Sequence, residues 1–421
     1  MAIGRRPRLV VVNDATVARG GATGLALLQA RLAAARGLEV VYFAGDRGAP
    51  AEFARHGITC LSAGGDELAK SAPLTAGTRG LYNRAARDLV RETVAATDTP
   101  HTVYHVHSFS KTLSPSIFSA LRPVAHRTFV HAHDFFLACP NGGFMDYRRM
   151  KPCERVPLSL DCLGTNCDKR SYAQKLWRVA RQDVLHRTMP RDAPWAGIVL
   201  LHPAMAPYME RAGYPPARLR TLRNPARALR PGRVEAERKD LFVFVGRVEA
   251  EKGVTELIGA AASAGVPLRV IGDGPLLPRL KAAHPEVDFS GWIDRDRIGE
   301  AIADARALVM PSRYPEPFGL VAAEASMSGL PVILSETALL AREVEGHGVG
   351  MTCDTRDPIA FASALRRMAD LPPGDVAAMS RRGASGAAGL CTTPEEWIDG
   401  QIAMWSAAIG RTGPVPDDRE A

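Results

Sequence analysis

Short runs of apolar and β-branched residues recur along the chain, each followed by a longer Ala- and Leu-rich stretch with helical spacing. The first series is RLVVVND (8–14), LEVVYFAG (38–45), ITCLS (58–62), TVYHVHS (102–108), RTFVHAHD (127–134), GIVLLHP (197–203) and RLRTLRNP (218–225). Runs of this length with little internal alternation are the mark of strands buried on both faces, and their alternation with helices predicts a doubly wound parallel sheet. A polar stretch without an apolar face, ARALRPGRVEAERKD (226–240), interrupts the pattern. A second series then opens at LFVFVGRV (241–248) and continues through LRVIGDG (268–274), VDFSG (287–291), ARALVMPS (305–312), PVILS (331–335) and GVGMTC (348–353).

The pattern therefore predicts an α/β protein of two Rossmann-like domains. Residues 1–224 form the first, with a Cys-containing insertion at about 138–170, and residues 225–395 form the second. Residues 396–421 are read as a helix packing back across the hinge, followed by a frayed tail, RTGPVPDDREA. A length of 421 residues suits two cores better than one.

Composition adds limits. Hydrophobic residues make up 46% and charged residues 23%, as in soluble globular proteins. No apolar run is long enough to span a bilayer, so a cytoplasmic protein is expected. The net charge of +8 comes from dispersed Arg and Lys without a block of five or more, which argues against nucleic acid and leaves an anionic substrate or lipid surface.

Candidate chemistry concentrates at strand ends. In PSRYPEPFGLVAAEASMSGLPVI (311–333) a strand runs into a Pro-rich loop bearing Glu316, and Phe318-Gly319 opens a helix that carries Glu324. The backbone N–H groups of Phe318, Gly319 and Leu320 would lie at a helix N-terminus, which suits a phosphate, and glycine permits close approach. Glu316 and Glu324, eight residues apart, suit hydroxyls of a sugar and of a ribose. In FVGRVEAEKG (244–253), Arg247 and Lys252 offer a planar fork and a point charge to a diphosphate.

These two motifs resemble those of the retaining GT-B glycosyltransferases of family 4 (glycosyl transferases group 1). The resemblance implies a nucleotide-sugar donor. Arg247 and Lys252 would then hold its diphosphate, Glu316 the transferred sugar and Glu324 the ribose. Trp292 and Ile293 in GWID (291–294) fall where that family cradles the base. In NDATVARGGATG (13–24), Gly20 and Gly21 match the family's glycine pair. In FVHAHDFFLACPNGGF (129–144), the match places His133 beside the transferred sugar, where Asp134 would fix its tautomer or orient the acceptor, with His107 and His131 as lesser candidates. The resemblance further implies a front-face mechanism with no protein nucleophile, no cofactor and no catalytic metal. It suggests a saccharide or lipid-linked acceptor in cell-surface polysaccharide or lipopolysaccharide synthesis.

Each candidate has a plainer reading. The two glutamates suit a helix dipole, Arg247 and Lys252 could pair with Glu249 and Glu251, and the glycines could serve a tight turn. A phosphorylase, a sugar-phosphate synthase or a non-catalytic nucleotide-sugar binder would keep the same donor grip. A dinucleotide dehydrogenase is disfavoured, because IGDGPLL places Leu277 where the third glycine belongs.

Cys139, Cys153, Cys162 and Cys167 lie in one loop-rich stretch that has little else to order it. They contain no C-x-x-C; a structural zinc, disulfides and unpaired thiols are the three readings, with zinc the hypothesis. The following segment, DKRSYAQKLWRVARQDVLHR (168–187), interleaves Lys169, Arg170, Lys175, Arg178, Arg181 and Arg187 with Tyr172, Leu176, Trp177 and Leu185. It reads as a solvated helix or as a peripheral contact with anionic lipid.

Overall fold

The computed structural model describes residues 7–18, 20–68 and 72–410. The tail 411–421, expected to fray, lies outside the described residues. All thirteen apolar runs form strands. In the first domain these are β1 (Arg8–Asn13), β2 (Val40–Ala44), β3 (Ile58–Ser62), β4 (Thr102–Val106) and β5 (Thr128–Ala132). A two-residue hairpin, β6 (Met145–Asp146) with β7 (Lys151–Pro152), follows in the insertion, and β8 (Gly197–Leu200) and β9 (Leu219–Thr221) complete the sheet. The main sheet is parallel throughout, in the order β3-β2-β1-β4-β5-β8-β9. The second domain holds β10 (Leu241–Val245), β11 (Leu268–Ile271), β12 (Asp288–Gly291), β13 (Ala305–Met310), β14 (Val332–Ser335) and β15 (Gly350–Cys353), parallel in the order β12-β11-β10-β13-β14-β15.

Both sheets reverse their winding beside the first strand, between β1 and β4 and between β10 and β13. Loops leaving the two sides of such a switch point diverge and open a crevice at the C-terminal edge, where open α/β folds bind ligands. The motif segments after β1, β5, β10 and β13 all leave from those edges. Strand cores are apolar on both faces, with Val10, Val11, Val12, Phe242, Val243 and Leu308 at most 1% exposed.

The polar stretch 226–240 is more ordered than its sequence suggests. Val234 and Ala236 are buried, Val234 N–H donates to Ser328 O, and Arg233 pairs with Glu237 and Ser380. It docks on the second domain because it supplies two small apolar anchors at i, i+2, a spacing too short to register as periodicity.

The chain crosses between the domains twice, and the crossings lie side by side. Pro225 bridges to Thr392, and Ala226 N–H donates to Thr392 O. Beyond the second crossing, the helix Pro394–Ile409 is started by a Thr393/Glu396 capping box. Its Ile398 and Trp405 are buried in the core of the first domain with Ala26, Ala30 and Phe129. Further contacts join the domains, among them His202 and Arg223 with Glu343, Lys169 with Glu249 and Glu251, and Arg313 with the Met150 carbonyl.

Candidate active site

On the second domain, β10 ends at Gly246 and a loop carries Arg247 to Lys252 before the helix Val254–Ala264. Glycines press this loop against its neighbours. A Cβ on Gly253, at φ +73, would sit 2.3 Å from Pro311 O; one on Gly272 would sit 1.8 Å from Gly246 O, and one on Gly274 2.5 Å from Val248 O. Gly272 and Gly274, which fail as a dinucleotide motif, thus allow the β11 loop to buttress the one bearing Arg247.

Lys252 Nζ lies 2.6 Å from Glu316 Oε2 and 2.8 Å from the Tyr314 hydroxyl, and Ser312 Oγ donates to the same carboxylate oxygen at 2.7 Å. Burial alone would raise the Glu316 carboxyl, but the Lys252 ammonium and the Ser312 and Tyr314 hydroxyls outweigh it and hold it below its usual range. Both members of the pair are largely covered, at 17% and 14% exposed. Arg247 leans outward, 67% exposed, and pairs with Glu249 at 2.7 Å. The alternative in which Lys252 pairs with Glu249 or Glu251 does not hold, since those acids face Lys169.

The helix Leu320–Met327 begins after Gly319 at φ +74, a left-handed turn that side chains rarely adopt. Phe318 is buried and anchors the turn. Glu324 is 3% exposed and pairs with Arg295. Burial raises its carboxyl and Arg295 opposes the rise. Arg295, 65% exposed, follows the GWID loop, in which Trp292 is 75% exposed while Ile293 packs partly against the core. Arg295 also lines a cleft of about 310 Å³ with Leu28, Pro225, Arg227, Leu229 and Pro394, where the domains meet.

On the first domain, the helix Gly21–Ala35 starts after an extended Gly20 with no side chain capping it. A Cβ on either Gly20 or Gly21 would meet nothing within 4 Å, and neither has positive φ. Among the described residues, neither a positive φ nor a close packing neighbour calls for glycine at these two positions. Asp14, buried, accepts the N–H groups of Lys111, Thr112 and Leu113, each at 2.9 Å, and so ties the loop after β1 to the one after β4.

His105, His107, His131 and His133 project from one face of β4 and β5 as a stack of rings 4.5–5.3 Å apart. Burial keeps all four neutral, with His105 and His133 lowered to about 3. Their tautomers follow from the donors around them. The Trp405 indole, a donor only, reaches His105 Nδ1 at 3.2 Å, so His105 donates from Nε2 to His131 Nδ1. The Gln29 amide nitrogen is directed at Gln401 Oε1 and His105 Nδ1, which leaves Gln29 Oε1 to accept from His107 Nε2 at 2.9 Å. His107 Nδ1 is then an acceptor for His133 Nε2–H at 2.9 Å, and His133 keeps Nδ1 as its free acceptor. A chain of bonds thus runs from the last helix through Gln29 to His133.

Asp134 is pushed up to about 6 by burial, against the Phe136 N–H and the charges of Arg181 and Lys111. Burial raises the Tyr147 hydroxyl, in the insertion, and the charges of Glu251 and Asp134 add to the rise. Sequence reasoning missed Ser312, Tyr314, Arg295 and Tyr147, none of which sits in a distinctive pattern. It also left the basic helix more open than it is. Lys175 is 1% exposed with its ammonium on the carbonyls of Leu163 and Thr165, Arg178 pairs with Asp168, and Arg181 lies over Phe136 and Trp177. Lys175, Arg178 and Arg181 are thus engaged within the protein, while Lys169 and Arg187 keep much of their side chains in solvent. Among the described residues no helix is long and apolar enough to cross a membrane.

Two facing Rossmann-like domains with the cleft between their C-terminal edges define the GT-B architecture. Residues 226–385 match the family model for "Glycosyl transferases group 1". A glycogen synthase of Mycobacterium tuberculosis is 33% identical over 184 residues, 41% of this chain and 42% of that protein. A GDP-mannose-dependent alpha-(1-6)-phosphatidylinositol dimannoside mannosyltransferase of the same species is 36% identical over 140 residues, 31% of this chain and 36% of that protein. The chain thus spans well under half the length of these relatives. Over nearly its whole length the fold is that of Anabaena HepE, solved in complex with UDP, with a TM-score of 0.64 at 16% identity, covering 94% of this chain and 98% of that one.

Proposed function

We propose that this chain is a retaining glycosyltransferase that takes a sugar from a nucleoside-diphosphate donor and transfers it to a hydroxyl of a saccharide or lipid-linked acceptor. The observation that carries the reading is the Lys252–Glu316 pair, held largely out of solvent at the switch point with Arg247 exposed beside it. A cation pair beside the N-terminus of the Leu320–Met327 helix suits a diphosphate, and Glu316 suits the hydroxyls of the attached sugar. On this reading Glu324, paired with Arg295, takes the ribose, the backbone at Phe318 to Leu320 the phosphate, and Trp292 and Ile293 the base.

In the first domain, His133 presents Nδ1 as an acceptor for a sugar hydroxyl, and Asp134 orients the acceptor. Gly20 and Gly21 leave room for the donor, which accounts for glycines whose Cβ would meet nothing among the described residues. The bond from the anomeric carbon to the phosphate breaks as the bond to the acceptor oxygen forms on the same face, and the acceptor proton passes to the departing phosphate. Positioning and charge stabilisation supply the catalysis. Arg247 and Lys252 take the place of a divalent cation, so neither Mg²⁺ nor Mn²⁺ should change the rate. The curated relatives named for GDP-mannose and a lipid acceptor, and the fold relative solved with UDP, support this substrate class.

The test is a panel of UDP-, GDP- and dTDP-sugars assayed for hydrolysis and then for transfer, with the anomer of the product read by NMR. Donor turnover with retained configuration supports the proposal. An inverted product overturns the mechanism, and no nucleotide-sugar binding overturns the whole. Binding without turnover would favour the non-catalytic alternative.

A further inference from the structure

We propose that Cys139, Cys153, Cys162 and Cys167 form a structural zinc site that orders the insertion at about 138–170 and fixes its contact with the second domain. The four side chains come from a turn, the end of a two-residue strand, a one-turn helix and the loop after it. They nevertheless line a single cavity of about 20 Å³ together with Asn141, Arg155 and Lys175. That is room for one ion or one water.

The groups around the sulfurs are donors. Asn141 Nδ2 lies 3.2 Å from Cys167 Sγ, and Arg155 Nη1 lies 3.9 Å from Cys153 Sγ. Burial raises the Cys139 thiol, and the neighbouring backbone of Phe144, Asn141 and Gly142 opposes the rise. The Lys175 ammonium is buried beside Cys167. Neutral thiols have little use for such a shell, whereas thiolates on a metal need it. Four thiols that bind Zn²⁺ release four protons and leave a net charge of −2, for which Lys175 and Arg155 are the neighbouring cations.

The sulfurs stand around the cavity without meeting: no three lie within 4.8 Å of one another. A tetrahedral thiolate site holds them about 3.8 Å apart. A single χ1 rotation swings a cysteine sulfur by about 3 Å, the order of movement that closing on an ion calls for. The insertion has little regular structure, with one two-residue hairpin and one turn of helix, and only its start is anchored in the core through Phe144. Yet it carries Lys169 to Glu249 and Glu251, and the Met150 carbonyl to Arg313. A site that orders these residues fixes the loop that bears Arg247, without taking part in catalysis.

Elemental analysis of the full-length chain, purified without chelator, is expected to give one zinc per chain. Replacement by Co²⁺ should produce thiolate-to-cobalt charge transfer and the visible bands of a tetrahedral site. Cys60→Ser and Cys353→Ser should retain the metal, and Cys167→Ser should lose it. Should Cys167→Ser fail to fold, the cobalt spectrum of the wild type still decides. A metal-free protein without a thiolate–cobalt band overturns the proposal, and so does a mass 2 or 4 Da lower that marks disulfides. A zinc-free wild type overturns the site and not the transferase reading, which the nucleotide-sugar panel tests separately.

Discussion

Acid should unfold the first domain well before the carboxylates that usually govern acid denaturation are protonated, because four neutral histidines are buried in one stack. In the unfolded chain each imidazole takes up a proton near pH 6.5, whereas in the folded protein burial lowers His105 and His133 to about 3 and holds His107 and His131 well below their usual value. The unfolded state therefore binds more protons below pH 6.5. Stability is complete above that value and is lost as pH falls. From pH 6.5 to 5.5 each histidine costs about 1 kcal/mol, about 4 kcal/mol for the stack. Asp134, raised to about 6, acts in the opposite sense: the folded protein takes up its proton first, which returns about 0.7 kcal/mol. A net loss of about 3 kcal/mol follows, a large fraction of a typical domain's stability. Denaturant titrations at pH 7.5, 6.5 and 5.5, read by tryptophan emission, measure it directly, since Trp405 is buried against His105. The His131→Phe variant should reduce the slope of stability against pH by about one proton in four. A stability that changes by less than about 1 kcal/mol between pH 6.5 and 5.5 would refute the assignment of neutral, buried rings.

Other outcomes follow from the same contacts. Lys252→Ala and Glu324→Ala each remove charge-assisted bonds of about 1.5–3 kcal/mol, so donor affinity by calorimetry should fall about 10- to 150-fold; wild-type affinity would sink the donor-site assignment. Gln29→Leu cuts the chain that fixes the His133 tautomer and should lower kcat about tenfold while donor Kd changes less than twofold, a split that simple destabilisation would not give. Lys169→Ala removes the bridge to Glu249 and Glu251 and should raise KM for the donor more than it lowers kcat, checked by steady-state kinetics.

The thirteen strands, the two-domain division and the glycine-hinged loops at Gly253 and Gly319 were legible in the sequence, because they depend on local quantities. Buried parallel strands must be apolar on both faces, and a left-handed residue at a strand-to-helix turn favours glycine. The positions of Arg247, Lys252, Glu316 and Glu324 were legible for the same reason, since each lies within a few residues of a strand end.

What the sequence left open are the partners, which lie far apart in the chain and meet through topology alone. Nothing near Lys252 announces that it will face Glu316 and Tyr314, because β10 and β13 become neighbours only when the sheet reverses at its switch point. The basic residues after Cys167 look like one exposed charge run, and tertiary packing divides them among Asp168, Glu249, Glu251 and buried carbonyls. His133 is a lone strand-end histidine in the sequence. Its tautomer is set by Gln29 and Gln401, the second of them on a helix that returns from the other domain, and only the folded chain brings those groups within a hydrogen bond.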